Sequence, residues 1–328
     1  MKILIAVAKD VVKRNDVQDT LRCKTSLEDF FLKKGLSVET IYLEESNFEQ
    51  VEMIKEKILD HNPVCVFNLF EGFGTNSQRE AEFVKVLESI NIPYTGNSSH
   101  TLSLCLNKEM SKKVLLKNNM FVPEGVFVKD IKELRPDVLN FPLFIKPCFE
   151  DASVGIDRDS LLTEKENLYK VLEKKLKEFP QGVIVEEFIP GKEYNVGFLG
   201  DFPYELLGIS VIDYANHKKF LPFLSYKSKW EISSQEFKML LPSLKEPIDE
   251  SFQKRIIDIA QKVGEVLGCR NYFRVDLREK GGQLFVLDVN PNPDINRDSG
   301  FMRQAYYKGY TYEDLIERIL KSAKTSIN

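Results

Sequence analysis

The sequence predicts an α/β protein in three parts: a parallel α/β unit over residues 1–100, a smaller lid-like unit over 101–185, and a mixed α+β unit over 186–328. Three observations support this reading. A chain of 328 residues exceeds what one ordinary core organises. The first third alternates strand and helix signals, as a parallel sheet requires. Near the C-terminus, YFRVDLRE and QLFVLDVN flank a KGG turn, the pattern of an antiparallel hairpin.

The elements follow in order. KILIAVA is a strand, a helix spans roughly 20–34 and is stopped by Gly35, SVETIYL is a second strand, a helix covers roughly 48–60, and PVCVFNLF is a buried strand. EGFGTN is a loop, QREAEFVKVLESI an amphipathic helix, and IPYTG a short strand running into a turn. The absence of GxGxxG removes the phosphate device of a dinucleotide-binding fold and leaves Gly72 and Gly74 to line some other ligand. One helix is expected over SLCLNKEMSKKVLLKNN, then the strands VPEGVFV and FPLFIKP, the exposed loop CFEDASVGI, a charged helix over 161–178 read as lid surface, and the strand GVIVEEFI. GKEYNVGFLGD and YELLGISVI continue as strands, SYKSKW lies in an irregular stretch, and a helix at about 249–267 precedes the hairpin. No internal repeat or low-complexity linker interrupts the chain.

A hydrophobic share of 43% and a charged share of 29% fit a soluble globular protein and argue against disorder. No apolar run reaches the roughly 18 residues of a membrane helix, and MKILIAVAKD turns charged too soon for a signal peptide, so a cytoplasmic location is expected. Cys23, Cys65, Cys105, Cys148 and Cys269 form no CxxC pair and read as buried reduced thiols. With a net charge of −4 and no basic stripe, the expected partner is a small molecule, with neither nucleic acid nor membrane involved.

Chemistry concentrates in the last third. Side chains at i and i+2 of a strand share a face, so Asp288 and Asn290 aim their oxygens together. If the hairpin register sets Asp276 beside them, the group suits magnesium bridging phosphates, since that ion uses few carboxylates and keeps several waters. The competing account, acids facing solvent at a strand end, leaves two carboxylates costly to desolvate on apolar strands. Arg274 shares the face of Asp276 and could stabilise an anion beside the metal. Lys146 is the only charge in FPLFIKP, and serves equally as a phosphate ligand or as a lysine snorkelling at a strand end. Read alone, Lys108 is a solvated helix residue and EDASVG an ordinary turn, although its backbone amides could wrap phosphate. IVEEFIPGKEYNV, with acids that could meet adenine and ribose, reads equally as an edge strand with solvated acids.

Taken together, the fragments IPYTGNSS with LCLNK, FIKPCFEDASVGI, EEFIPGKE, RVD and LDVNPNP resemble, in this order from about residue 64 to 310, the ATP-grasp superfamily and most closely its D-alanine:D-alanine ligase group. The resemblance implies ATP clamped between the central lid and the C-terminal domain. Lys108 and Lys146 would hold phosphates, Glu186 with the backbone of Phe188 and Ile189 would meet adenine, and Glu193 would meet ribose. Lys229 would reach the terminal phosphate, Asp276, Asp288 and Asn290 would hold two magnesium ions, and Arg274 would stabilise the oxyanion. The family often dimerises through its N-terminal region, so a homodimer is a further expectation.

Departures gather around the amino-acid pocket. DASVG stands where the family has GSSVG, leaving Ser153 but putting Ala152 in place of a serine that positions the first substrate. Trp230 replaces a tyrosine, and indole only donates. KILIAVAKDVV lacks the family's Gly-rich loop and the glutamate that grips the first ammonium, and Asp294 replaces a glycine, while Ser299 remains to meet the second substrate's carboxylate. The expectation is an ATP-dependent carboxylate:amine ligase working through an acyl phosphate on a substrate other than D-alanine, with Asp294, Arg297 and Arg303 as readers of a polar, amino-bearing substrate. An Asp294 to Arg297 surface pair is the competing account of those charges. Two alternatives stay open: a true D-alanine:D-alanine ligase, with Glu71 standing in for the missing glutamate, and an ATP-binding module without catalysis.

Overall fold

The computed structural model describes residues 2–9, 15–74, 76–135, 140–217 and 219–324. Strand β1 (Lys2–Ala8) is buried from Ile3 to Val7 because it is the middle strand of a parallel sheet ordered β2-β1-β3, with β2 at Ser37–Leu43 and β3 at Cys65–Asn68. Successive side chains go to opposite faces. Leu4 and Ala6 meet helices α2 (Val51–Asp60) and α3 (Arg79–Ser89), whereas Ile3, Ile5 and Val7 meet α1 (Asn15–Lys33). That second face also carries residues from far along the chain, Phe301, Met302, Leu315 and Ile319. The chain's last helices thus cover its first strand, and Tyr94 and Lys324 bridge to each other.

The expected single helix over residues 103–119 is two, α4 (Ser99–Leu106) and α5 (Lys108–Lys117). Asn107 breaks it: its backbone is extended and its side chain accepts from the Met110 amide, capping the new helix. The IPYTG segment supplies only the isolated bridges of Tyr94, with Val66 and Lys324. Next comes an antiparallel sheet ordered β4-β7-β5-β6, formed by β4 (Gly125–Val128), β5 (Leu143–Pro147), β6 (Leu161–Leu162) and β7 (Val183–Glu187). Its Leu143, Ile145, Val183 and Val185 pack under α6 (Leu168–Glu178).

The second antiparallel sheet, ordered β11-β10-β8-β9, comprises β8 (Glu193–Leu199), β9 (Glu205–Ile212), β10 (Tyr272–Lys280) and β11 (Gln283–Asn290). Two short helices, α7 (Tyr226–Trp230) and α8 (Gln235–Met239), occupy the stretch read as irregular, and α9 (Glu250–Leu267) covers the sheet. Phe273, Val275 and Leu277 join α9 in the core, so Arg274, Asp276 and Arg278 face the other way. Helices α10 (Gly300–Lys308) and α11 (Tyr312–Lys321) close the chain.

The β10/β11 ladder is not regular. Leu277 lies opposite Val286 and Asp276 opposite Asp288, leaving Leu287 as a β-bulge. In an unbroken ladder Leu287 would oppose Asp276 and Asp288 would turn into the core. The bulge sends Val289 to the core instead and leaves Asp288 and Asn290 on the face of Asp276.

Gly191, in the segment between β7 and β8, joins the two antiparallel sheets. Its φ is +112°, and a Cβ there would lie 2.2 Å from the Glu279 carbonyl oxygen. Gly191→Ala is therefore expected to lower stability by about 2 kcal/mol or more, read from the urea midpoint. An unchanged midpoint would show that this junction tolerates a side chain.

Candidate active site

The exposed faces of the two antiparallel sheets enclose a cleft of about 840 Å³ of empty volume. On the lid side, Phe144 and Lys146 alternate with the core residues of β5, and Glu186 lies on the neighbouring β7. Glu186 is buried, accepting from Lys146 at 2.8 Å and Lys112 at 2.5 Å. Burial pushes its carboxyl up, but the two lysine charges outweigh this and hold it below the usual range. Lys146 also donates to the Leu287 carbonyl at 3.2 Å, so the bulge residue anchors it across the cleft.

The opposite wall carries alternating charges. Arg274 grips Asp276 with two bonds of 2.7 and 2.8 Å, and Asp276 also accepts from Asn195 at 2.9 Å and Asn290 at 3.2 Å. Two residues on, Arg278 pairs with Glu193 at 3.0 Å, donates to the carbonyls of Ile189 and Pro222, and lies over the rings of Phe188 and Tyr214. Burial raises the Glu193 carboxyl, Arg278 more than reverses it, and the Tyr214 hydroxyl adds a bond of 2.9 Å.

Between the walls, the Lys108 ammonium lies 3.1 Å from Asp151 and 3.3 Å from Asp288. Burial alone would lower this ammonium, but the two carboxylates raise it. Asp288 is raised by burial and pulled below its usual range by Lys108 and Lys146. Lys229, on α7, also lines the cleft, and burial and then Arg274 hold its ammonium below the usual range. Among the described residues no three His, Cys, Asp or Glu side chains gather into a metal cage. The oxygens of Asp276, Asp288 and Asn290 nevertheless fit magnesium, which takes few protein ligands when phosphates and waters complete its shell.

The small-residue loop turns through left-handed backbone at Ala152, Ser153 and Gly155. It is tied from below by Lys175, which is fully buried, donates to the Gly155 carbonyl at 2.7 Å and lies 3.0 Å from Asp157. The charged helix read as lid surface thus reaches underneath the loop, because one lysine extends through the layer to a backbone carbonyl. Ser153 donates to the Leu224 carbonyl at 3.2 Å, and the Trp230 indole donates to the Ala152 carbonyl at 2.9 Å.

Trp230 also lines a second, smaller pocket, about 430 Å³ of empty space when its opening to solvent is counted, between the N-terminal sheet and the segment after β11. Asp294 is found there and does not line the larger cleft. It faces Asp19, and both bond the Asn296 amide, at 3.0 and 2.6 Å. Burial and then the Asp19 charge push Asp294 up to about 7. Glu80 accepts from Asn292 at 2.9 Å and is pushed by burial up to about 8. Glu71 lines the same cavity.

The sequence-predicted residues divide accordingly. Lys108, Lys146, Ser153, Glu186, Phe188, Ile189, Glu193, Lys229, Asp276, Asp288 and Asn290 all line the larger cleft, with Arg274 clamped to Asp276 at its wall. Arg297 and Arg303 line neither of these two cavities. Arg297 is paired with Glu313 at 2.9 Å and lies over the Tyr312 ring, and Asp294 accepts from Asn296, so the Asp294 to Arg297 pair of the competing account does not form. Ser299 caps α10 by accepting from Met302. The segment at 10–14, which contains the end of KILIAVAKDVV, lies outside the described residues. Sequence reasoning missed Lys112 and Arg278, although each is four residues beyond a residue already chosen, on the same helix face and the same strand face respectively. It also missed Asp19, Glu80 and Tyr272, which no local pattern marks.

With this geometry in hand, a family model described as D-ala D-ala ligase C-terminus matches residues 116–321. The chain is 29% identical to a D-alanine–D-alanine ligase of Pelagibacter ubique, covering 84% of this chain and 85% of that protein. It is 31% identical to an uncharacterized protein, y4sG, of Sinorhizobium fredii, covering 79% and 74%. Among solved structures it resembles the D-alanine–D-alanine ligase of Bacillus anthracis complexed with ATP, with a TM-score of 0.78 over 98% of this chain and 97% of that one at 21% identity.

The raised Glu80 carboxyl predicts a pH dependence. Between about pH 4.5 and 8 the folded protein keeps a proton that the unfolded chain has released, so this group's contribution to stability falls as pH rises through that window. Glu80→Gln keeps the bond from Asn292 and removes the charge. The variant is expected to gain roughly 2 kcal/mol over the wild type at pH 8 compared with pH 5, measured by urea unfolding. Parallel stability curves for the two proteins would refute the assignment.

Proposed function

The chain belongs to the D-ala D-ala ligase family, has the ATP-grasp fold and is an ATP-dependent, ADP-forming ligase; from this we propose that it joins a carboxylate to an amine through an acyl phosphate, using an amino-acid pocket diverged from that for D-alanine. One observation supports the reading above all: two facing sheets bring Lys108, Lys146 and Lys229 to the same cleft as the paired Asp276 and Asp288. That is a site for a polyphosphate and its cation.

The adenine would enter between the aromatic rings of Phe144, Phe188 and Phe223 and meet the backbone at Phe188 and Ile189. Glu193, held by Arg278 and Tyr214, would accept from ribose hydroxyls. Lys146, oriented by Glu186, and Lys108 would bind the phosphates, with the amides of the Ala152–Ser153 turn close by. Magnesium held by Asp276, Asp288 and Asn290 would offset phosphate charge.

The substrate carboxylate attacks the terminal phosphorus, the bond to ADP breaks, and Lys229 stabilises the phosphoryl group. The amine then attacks the acyl carbon, Arg274 meets the negative oxygen of the tetrahedral intermediate, and inorganic phosphate leaves. Products are ADP, phosphate and an amide. Arg274 is pre-aimed because Asp276 fixes its guanidinium with two bonds.

A second reading, a genuine D-alanine–D-alanine ligase, is favoured by the names of the similar proteins. The two are separated by following phosphate release with ATP and magnesium against pools of D- and L-amino acids, with mass spectrometry of the product. Release dependent on a substrate other than D-alanine supports the diverged pocket, and D-alanyl-D-alanine as the preferred product overturns it. Arg274→Gln should lower kcat by about 10²–10³-fold while changing ATP affinity little. A kcat within a few-fold of wild type would remove Arg274 from the oxyanion role.

A further inference from the structure

Strand β8 pairs with β10 so that Glu193 lies opposite Arg278 and Asn195 opposite Asp276. Tyr194, Val196 and Phe198 of β8 go to the core, so Glu193 and Asn195 share the other face, with Arg274, Asp276 and Arg278. A continuous chain of contacts then crosses between the two strands: Arg278, Glu193, Asn195, Asp276, Arg274. Each carboxylate has its own arginine, at 3.0 Å for Glu193 and 2.7 Å for Asp276. Between the two anions stands one neutral amide.

Asn195 Nδ2 donates to Glu193 Oε1 at 3.3 Å and to Asp276 Oδ1 at 2.9 Å. An amide nitrogen carries two protons, and here each carboxylate takes one; turned the other way, the amide would set its acceptor oxygen against an anion. All three residues are buried, so losing this donor would leave two carboxylates facing each other in a medium that screens them poorly. The backbone of Asn195 is held as well. Gln304, on α10 and 1% exposed, donates to the Asn195 carbonyl at 2.8 Å and to the Ser210 hydroxyl at 3.0 Å. It gains access because the next residue of β8 on this face is Gly197, where a Cβ would collide with the Gln304 side chain.

The two carboxylates have different tasks in the proposed function, Glu193 toward ribose hydroxyls and Asp276 toward the cation. Arg278 and Tyr214 hydrogen-bond Glu193, and Arg274 and Asn290 hydrogen-bond Asp276. Among the described residues, Asn195 is the one that hydrogen-bonds both. We infer that Asn195 is a positioning residue for both halves of the nucleotide site: its amide spaces the sugar-facing carboxylate from the cation-facing one, so sugar recognition and cation retention depend together on this side chain. This rests on the nucleotide reading of the cleft given above and not on which carboxylate and amine are joined.

The test titrates the full-length protein by calorimetry with ATP and with 2′,3′-dideoxy-ATP, each over a series of magnesium concentrations, and reads binding rather than turnover. The wild type should bind ATP roughly 10-fold or more tighter than the dideoxy analogue. Asn195→Leu keeps the bulk and removes both donated bonds; it should cut that preference several-fold and raise the magnesium concentration for half-maximal ATP affinity several-fold. Tyr214→Phe removes a bond to Glu193 alone, so it should cut the preference and leave the magnesium requirement unchanged. Asn195→Thr serves if the leucine variant does not fold: a hydroxyl has one proton for two carboxylates, so both quantities should move in the same directions. Equal wild-type affinity for the two nucleotides, or either quantity unchanged in the Asn195 variants, overturns the inference and leaves the nucleotide reading of the cleft intact. A Tyr214 variant whose magnesium requirement moves as far as that of the Asn195 variants overturns the assignment to Asn195. A wild type that binds neither nucleotide overturns the nucleotide reading, and the inference with it.

Discussion

In the antiparallel pair β10/β11, Leu277 opposes Val286 and Asp276 opposes Asp288, so Leu287 is the residue left over. The cleft depends on that surplus. A strand alternates faces strictly, and one inserted residue resets the alternation for everything that follows. Val289 can then fill the core beside Val275 while Asp288 and Asn290 face outward with Asp276. The bulge also takes the Leu287 carbonyl out of the regular ladder pairing, and Lys146 donates to it from the opposite sheet. One backbone irregularity therefore aligns the acids and ties the lid to them.

The cleft is electrostatically balanced before any ligand enters. Lys108 has Asp151 and Asp288, Lys146 and Lys112 share Glu186, Arg274 has Asp276, and Arg278 has Glu193. Pairing is what makes such burial tolerable, since an unpaired buried ion costs several kcal/mol. It also keeps each group charged and oriented, so a polyphosphate and its cation can exchange into an existing set of interactions with little reorganisation. Lys175 extends the same logic beneath the small-residue loop, where it fixes a backbone turn rather than a ligand.

The second cavity is paired less evenly: Asp19 has Arg22, whereas Asp294 and Glu80 have amide partners and no cation within ion-pair distance among the described residues. Burial pushes Glu80 and Asp294 well above the usual carboxylate range, and the Asp19 charge adds to the shift of Asp294. Trp230 lines the second cavity and donates to Ala152, which lines the cleft, so one hydrogen bond links the two. Of the residues at which the sequence departs from the resemblance, Trp230 and Asp294 line the second cavity and Ala152 lines the cleft.

Sequence alone determined what depends on local pattern. The strand and helix alternation of the first third, the hairpin, and the side-by-side direction of Asp288 and Asn290 follow from periods of 2.0 and 3.6. The strand lysine, the small-residue loop and the RVD and LDVNPNP segments were informative because their order along the chain carried a resemblance that no single fragment could. Tertiary structure alone decided what depends on distant segments meeting. Asn107 splits a helix that looks continuous, because its cap competes with helix propagation. Asp19, Glu80, Tyr272 and Asp294 come from four separate parts of the chain and share a cavity only because the last helices fold back onto the first sheet. Arg297, next to that cavity in sequence, is drawn away by Glu313 and the Tyr312 ring. No periodicity encodes such meetings, since they are set by packing between elements hundreds of residues apart, whereas the direction of a side chain on its own strand is set by the backbone that carries it.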